Sequence, residues 1–204
     1  DLAPIGQPLS IARSAKPLAV EVVVRGHITG VTDTALWTAY ARGERTVYGH
    51  RLPDGLRKNE ALPHPIVTPT TKGAAGSHDV PITCTEVAEQ GLVEPRLWEQ
   101  VQTAALAVFE RGVALGRAAG LILADTKYEF GIADSGELLL IDEVHTPDSS
   151  RWWVASTYPD RLAAGNEPES LDKEVVRRAL AAVDFRGDGD VPTLPEEVWA
   201  ATTA

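Results

Sequence analysis

The first clear alternation of apolar and polar positions falls at residues 17–25, Pro-Leu-Ala-Val-Glu-Val-Val-Val-Arg. At a period of two, Val20, Val22 and Val24 share one face, and Glu21, Val23 and Arg25 share the other. The β-branched enrichment predicts a strand. A carboxylate and a guanidinium therefore sit on one face of an otherwise apolar strand; taken alone, a solvated surface pair accounts for them. Residues 50–81 are rich in proline, glycine and threonine, with Leu52-Pro53-Asp54-Gly55 as a turn signal. They read as a long, mostly irregular segment, and loops of that length in compact domains are often functional.

A helical pattern runs from Pro95 to Ala119. Leu97, Val101, Ala105, Val108 and Leu115 supply its apolar stripe, and Gly120 is placed to cap it. Two strands follow, Leu121–Phe130 and Glu137–Asp142, joined by Asp134-Ser135-Gly136, which suits a tight hairpin. In the first of them Asp125, Lys127 and Glu129 alternate with Thr126, Tyr128 and Phe130, giving one charged and one semi-apolar face. A solvent-facing strand explains such a face when it is read singly. A polar loop, His145 to Arg151, comes next. Ser170 is placed to cap a helix from Leu171 to Val183, and Thr193 and Glu196 have capping-box spacing before a last helix.

Composition narrows the function classes. The 204 residues are 44% hydrophobic and 24% charged, an ordinary globular balance. The net charge of -10 disfavours a general nucleic-acid binder, because neutralising phosphates needs a basic face. Cys84 is the single cysteine, so no intrachain disulfide forms and a cytoplasmic location is expected. No apolar run is long enough to span a bilayer, and Asp1-Leu2-Ala3-Pro4 does not open a signal peptide. Methionine is absent even from position 1, so the sequence reads as a processed or partial chain.

Phosphate-binding glycine loops, the H-E-x-x-H zinc motif and the G-x-S-x-G nucleophile motif are missing. What remains is a set of acids with interspersed bases: Glu21, Asp79, Asp125, Glu129, Asp142 and Asp148, with Arg25, Lys72, Lys127 and Arg151. Such a set suits Mg²⁺ with a phosphorylated ligand. Magnesium takes one or two carboxylates plus phosphate oxygens and water. Arginine grips phosphate through a bidentate fork.

Five strings in order give this set a meaning. Glu21 to Gly30 resembles the E-x-V-V-R-G-x-x-T-G segment of SAICAR synthetases, and Leu62 to Lys72 is similar to their L-P-x-P-I-x-T-P-T-T-K. His78-Asp79 stands where the family has His-Asp. Asp125 to Gly131 matches D-T-K-x-E-F-G, and Asp142 to Arg151 matches D-E-x-x-T-P-D-S-S-R. Leu171-Asp172-Lys173 resembles the start of the family's next helix. The resemblance covers about residues 17–183.

It implies an α+β, ATP-grasp-related fold: a mixed or antiparallel sheet with packed helices and a nucleotide cleft. Residues 1–16 would be a lead-in and 17–204 the catalytic core. The implied activity is an ATP-dependent ligase of purine biosynthesis. ATP phosphorylates the carboxylate of carboxyaminoimidazole ribotide, and the amine of L-aspartate displaces the phosphate to form an amide. The resemblance further implies Glu21, Asp79 and Glu129 as Mg²⁺ ligands at the imidazole carboxylate and Asp142 facing the metal-bound ATP. Arg25 and Arg151 would clamp the ribotide, Asp148 would position it, and Lys127 and Asp125 would line the reacting centre. Thr68 to Lys72 would form a loop at the cleft. The partners are small molecules, with no nucleic acid or membrane; a homo-oligomer is compatible with the sequence and not specified by it.

Two departures stand out. Family members commonly carry serine after the Thr-Gly pair, where its hydroxyl helps hold the ribotide phosphate; here the position is Val31, and Thr32 is the neighbouring hydroxyl. The family's N-terminal lobe and the end of its C-terminal helical tail have no counterpart in this sequence. Two alternatives therefore accompany the ligase reading: a paralogue acting on a related nucleotide, and a non-catalytic nucleotide-binding remnant.

Overall fold

A computed structural model describes residues 12–32, 34–72, 80–185, 189–196 and 198–199. Its centre is an antiparallel sheet. The long strands are β1 (Ala15–His27), β4 (Ala61–Thr71) and β6 (Leu121–Ala133). The short ones are β5 (Val80–Pro81), β7 (Leu138–Ile141) and β8 (Ser150–Val154). The order is β5-β4-β1-β6-β7. β8 shares the outer edge of β6 with β7: β7 pairs with residues 129–132 and β8 with residues 121–126. A small hairpin, β2 (Thr46–Val47) and β3 (His50–Arg51), lies apart from the sheet.

The strands form where alternation predicts them, with longer ends. Val20, Val22 and Val24 are 0–1% exposed. They pack with Tyr128 and Phe130 of β6 against the helix α3 (Pro95–Ala118). Burying each of these apolar side chains contributes roughly 1.5 kcal/mol or more. Pro95 opens α3, and the Glu94 side chain accepts a hydrogen bond from the Leu97 amide at 3.0 Å. Past its end, Gly120 adopts φ +76. The buried stripe of α3 is Trp98, Val101, Ala105, Phe109, Gly112 and Gly116. It is rotated from the expected one, and Leu115 is 52% exposed. The large rings at 98 and 109 bury more area than the leucine and set the rotation.

The segment 50–81 departs most from expectation. Residues 61–71 form β4, a full-length partner of β1, and Thr68–Thr71 are strand rather than loop. The prolines explain both the expectation and the outcome. Lys72 N donates to Ala19 O, whereas Pro69 O accepts from Ile82 N. Even positions from Ile66 onward thus face β1 and odd positions face away, so the missing N–H of Pro69 falls on the side that β1 does not use. Pro63 and Pro65 lie where the register between β1 and β4 shifts, an irregular step that tolerates proline.

The other helices are short: α1 (Leu36–Ala41), α2 (Cys84–Glu89), α4 (Tyr158–Ala163) and α5 (Glu174–Ala182). α2 starts with a capping box between Thr83 and Glu86. α5 begins later than Leu171, and Ser170 does not cap it. Asp172 takes that role, accepting from Glu174 N and Trp152 N, both at 2.8 Å. Ser170 instead bridges to Trp153. Glu196, Val198 and Trp199 are helical, as the capping spacing predicts. No described helix is long and apolar enough to cross a membrane.

Two packing features generate tests. A Cβ on Gly112 would lie 2.4 Å from His145 Cε1 and 2.8 Å from Leu123 Cδ2, so Gly112→Val overpacks the contact between α3 and the 142–149 loop. The expected loss is about 1–3 kcal/mol in urea denaturation, against less than about 0.5 kcal/mol for the exposed Leu115→Ala. The second is His27, whose ring lies 5.0 Å from Trp153 and 5.8 Å from Tyr158, with Nδ1 buried and without a hydrogen-bond partner among the described residues. Burial lowers its pKa from 6.5 to about 4. The unfolded chain therefore binds the extra proton first. Stability conferred by neutral His27 is complete above pH 6.5 and is lost as pH falls toward about 4. Denaturation midpoints measured across that window should show the loss, and His27→Phe should flatten it.

Candidate active site

The face of the sheet opposite α3 carries the charged residues, because the period-two alternation leaves them no other side. Register then brings them together. Glu21 lies opposite Glu129, Val23 opposite Lys127 and Arg25 opposite Asp125, and Asp125 lies opposite Arg151 of β8. Of these, Glu21, Val23, Arg25, Asp125, Lys127 and Arg151 line a cavity of about 340 Å³, with Glu129 just outside it.

At one end the charges converge on Lys127. Its Nζ is 2.7 Å from Glu129, 3.2 Å from Asp142 and 3.4 Å from Glu21. Lys72, just beyond β4, also binds Glu129. Burial alone would lower the Lys127 pKa, but the hydrogen bond to Glu129 and the charges of Glu21 and Glu129 outweigh it and hold the value above the usual lysine range. Burial would raise Glu129, and the two lysines overcome that and bring it down to about 2. Each side thus keeps its charge. Asp142 reaches the group from a left-handed backbone position, φ +64, at the end of β7.

At the other end Asp125, 4% exposed, binds two guanidiniums. Arg151 Nη1 donates to Oδ2 at 2.7 Å and Arg25 Nη1 at 3.4 Å. Arg25 Nε donates to Thr68 Oγ1 at 2.9 Å. The charge of Asp125 raises the Arg151 pKa further. Both arginines are held by these bonds while lining the cavity. Such a pair is a fixed receptor for a phosphate or carboxylate.

Most expected site residues therefore meet: Glu21, Lys72, Lys127, Glu129 and Asp142 in one group, Arg25, Asp125 and Arg151 in the next. Thr32 and Asp148 reach only the rim. Thr32 is exposed, and Asp148 pairs with Lys173 at 3.0 Å, which lowers its pKa. Asp79 lies outside the described residues. The residues that sequence reasoning missed are Lys173, Glu174 and Arg177, all lining the cavity. Lys173 and Arg177 are four apart, a helical spacing that puts both on one face and was the available signal. Among the described residues no group of three His, Cys, Asp or Glu side chains is arranged to hold a metal on its own.

Comparison with known proteins finds clear relatives of this chain. The chain is 52% identical over 169 residues to the chloroplastic phosphoribosylaminoimidazole-succinocarboxamide synthase of Vigna aconitifolia, covering 83% of this chain and 49% of that one. It is 47% identical over 191 residues to the Legionella pneumophila (strain Lens) enzyme of that name, covering 93% and 61%. The chain thus spans about half to three fifths of the length of these relatives. Among solved structures, SAICAR synthase from Saccharomyces cerevisiae complexed with SAICAR superposes with a TM-score of 0.74 at 34% identity, covering 93% of this chain and 58% of that one. A SAICAR synthetase in complex with ADP gives 0.60 at 26% identity, covering 93% and 65%. The family model for SAICAR synthetase matches residues 5–194, and the chain belongs to that family.

Proposed function

We propose that the protein is an ATP-dependent carbon–nitrogen ligase that joins the amine of L-aspartate to the carboxylate of carboxyaminoimidazole ribotide through an acyl phosphate. The observation that carries this reading is the single face on which the caged Lys127 stands two residues along β6 from the Arg25–Asp125–Arg151 cluster. The relatives' names and the bound SAICAR and ADP of the two solved structures point the same way.

The chemistry brings several anions together. A carboxylate is a poor electrophile until phosphorylation gives it a leaving group, so fixed cations carry most of the catalysis. Arg25 and Arg151 hold the ribotide phosphate or carboxylate, with Asp125 orienting both. Thr32 and Asp148 position the ribotide at the rim. Lys127, kept protonated by its carboxylates, acts as a fixed positive charge at the reacting carboxylate rather than as a base. Lys72 steadies Glu129 from the far side.

Magnesium fits the donor set. Glu21 and Glu129 face each other across one register step and would hold the ion at the imidazole carboxylate, with Asp142 toward the nucleotide and phosphate oxygens completing the shell. Asp79 joins this set by resemblance alone. When bound, the ion supplies charge neutralisation and polarises the phosphoryl oxygens.

A second reading rests on Val31. It is 68% exposed beside Arg151 and the 177–181 face of α5, and it has no group to bind phosphate. A related nucleotide would then be the acceptor.

The test uses the intact protein with ATP, Mg²⁺, aspartate and the ribotide. Aspartate-dependent ADP release supports the ligase; release only with a different acceptor supports the second reading, and binding without turnover refutes both. Lys127→Ala and Glu129→Ala should each lower the rate by about a hundredfold or more. Both should keep a cooperative thermal transition. Near-normal rates in both variants would overturn the site assignment.

A further inference from the structure

β6 presents Lys127 and Glu129 to the cleft, and Tyr128 between them points the other way into the core, 0% exposed. Its hydroxyl is not idle there. Tyr128 Oη and His145 Nε2 share a hydrogen bond of 2.6 Å. His145 belongs to the loop from Asp142 to Ser149, whose two left-handed non-glycine residues, Asp142 at φ +64 and His145 at φ +58, need contacts to hold them.

The contacts converge on His145. Its carbonyl accepts from Trp152 Nε1 at 3.0 Å, and its ring stands edge-on to both Tyr128 and Trp152. Gly112 of α3 leaves the slot that the ring fills, since any side chain there would strike it. Burial lowers the His145 pKa and so favours the neutral ring. Tyr128 and His145 occupy the unspecified positions of the two matched motifs, D-T-K-x-E-F-G and D-E-x-x-T-P-D-S-S-R, so the resemblance gives them no role.

We propose that Tyr128 and His145 form a positioning pair that fixes Asp142 over Lys127, and so sets the nucleotide side of the cleft without touching any substrate. This rests on the ligase reading only in naming the ligand that Asp142 serves. The bond ties the core face of β6 to the loop, while the cleft face of the same strand holds Lys127 and Glu129. Position is thereby passed through one residue's thickness of backbone. The ribotide side has further anchors of its own: Arg151 sits in β8, bound to Asp125, Ser150 bonds Thr126 at 2.8 Å, and Asp148, at the far end of the loop, pairs with Lys173 at 3.0 Å. Loss of the pair should therefore loosen one ligand site and spare the other.

The test compares intact wild-type protein with Tyr128→Phe, His145→Leu and His145→Gln. Glutamine keeps a hydrogen-bonding group near the position of Nε2, and leucine does not. Hydrogen exchange of residues 142–146 should quicken about tenfold in Tyr128→Phe and His145→Leu, with residues 151–154 unchanged. Calorimetric affinity for Mg·ATP should fall about tenfold in the same two, with ribotide affinity within about twofold of wild type. His145→Gln should restore both readouts. The proposal is overturned if Tyr128→Phe leaves loop exchange unchanged, if both ligands weaken in parallel, or if glutamine behaves like leucine. Should Tyr128→Phe not fold, the two His145 variants decide the matter. Absence of aspartate-dependent ADP release in wild type would sink the ligase reading, and the exchange comparison would still judge the pair.

Discussion

Glu21, Val23 and Arg25 of β1 lie opposite Glu129, Lys127 and Asp125 of β6, and the cleft exists only in that antiparallel register. A slip of β1 by one residue would turn Glu21 and Arg25 toward the core and Val20, Val22 and Val24 toward the cleft. The register is set by the apolar side. Val20, Val22 and Val24 meet Tyr128 and Phe130 under α3, where each is almost wholly buried. Packing on one face thus writes the chemistry on the other. β4 and β8 extend the pattern: β4 brings Thr68 to Arg25 and, at its end, Lys72 to Glu129, and β8 brings Arg151 beside Asp125.

The arrangement works against stability in one place. Two glutamates stand directly opposite each other at the Glu21–Glu129 step, a pairing that costs free energy in a sheet. Lys127 and Lys72 relieve it, and Glu129 keeps its charge into strongly acid conditions because of them. A protein selected only to fold would place apolar or opposite charges there. Local rules are broken in this way where a site needs the breach. A divalent cation with phosphate oxygens would relieve the same repulsion, which is the sense in which the carboxylates and the proposed ligands belong together.

Much of this was legible in the sequence, for identifiable reasons. Strands β1, β6 and β7, the hairpin at Asp134–Gly136 and helix α3 carry strong local patterns, and the structure keeps them with ends shifted by a few residues. β4 was hidden because Pro63, Pro65 and Pro69 read as loop residues; only the partner strand shows that Pro69 turns its missing donor away from β1 and that the other two fall at a shift in register. The start of α5 was misplaced because Asp172, not Ser170, meets the free amides, and its choice depends on Trp152 from a distant strand. The site was half legible. Alternation put the charges on one face, but only register shows that Lys127 meets three carboxylates and that Asp125 joins two arginines. The Tyr128–His145 contact had no sequence signal, since its partners are joined through the tertiary fold and stand at positions the motifs leave open.

On the proposed ligase reading, this face of β1, β6 and β7 receives a divalent cation together with phosphate. Crystals of the intact protein grown with ADP, the ribotide and Mn²⁺ in place of Mg²⁺ test it by anomalous scattering. The account predicts manganese bound by Glu21, Glu129 or Asp142, with Lys127 drawn off the carboxylate that the ion takes. Manganese bound with the nucleotide but away from all three carboxylates, with Lys127 still seated among them, would contradict it.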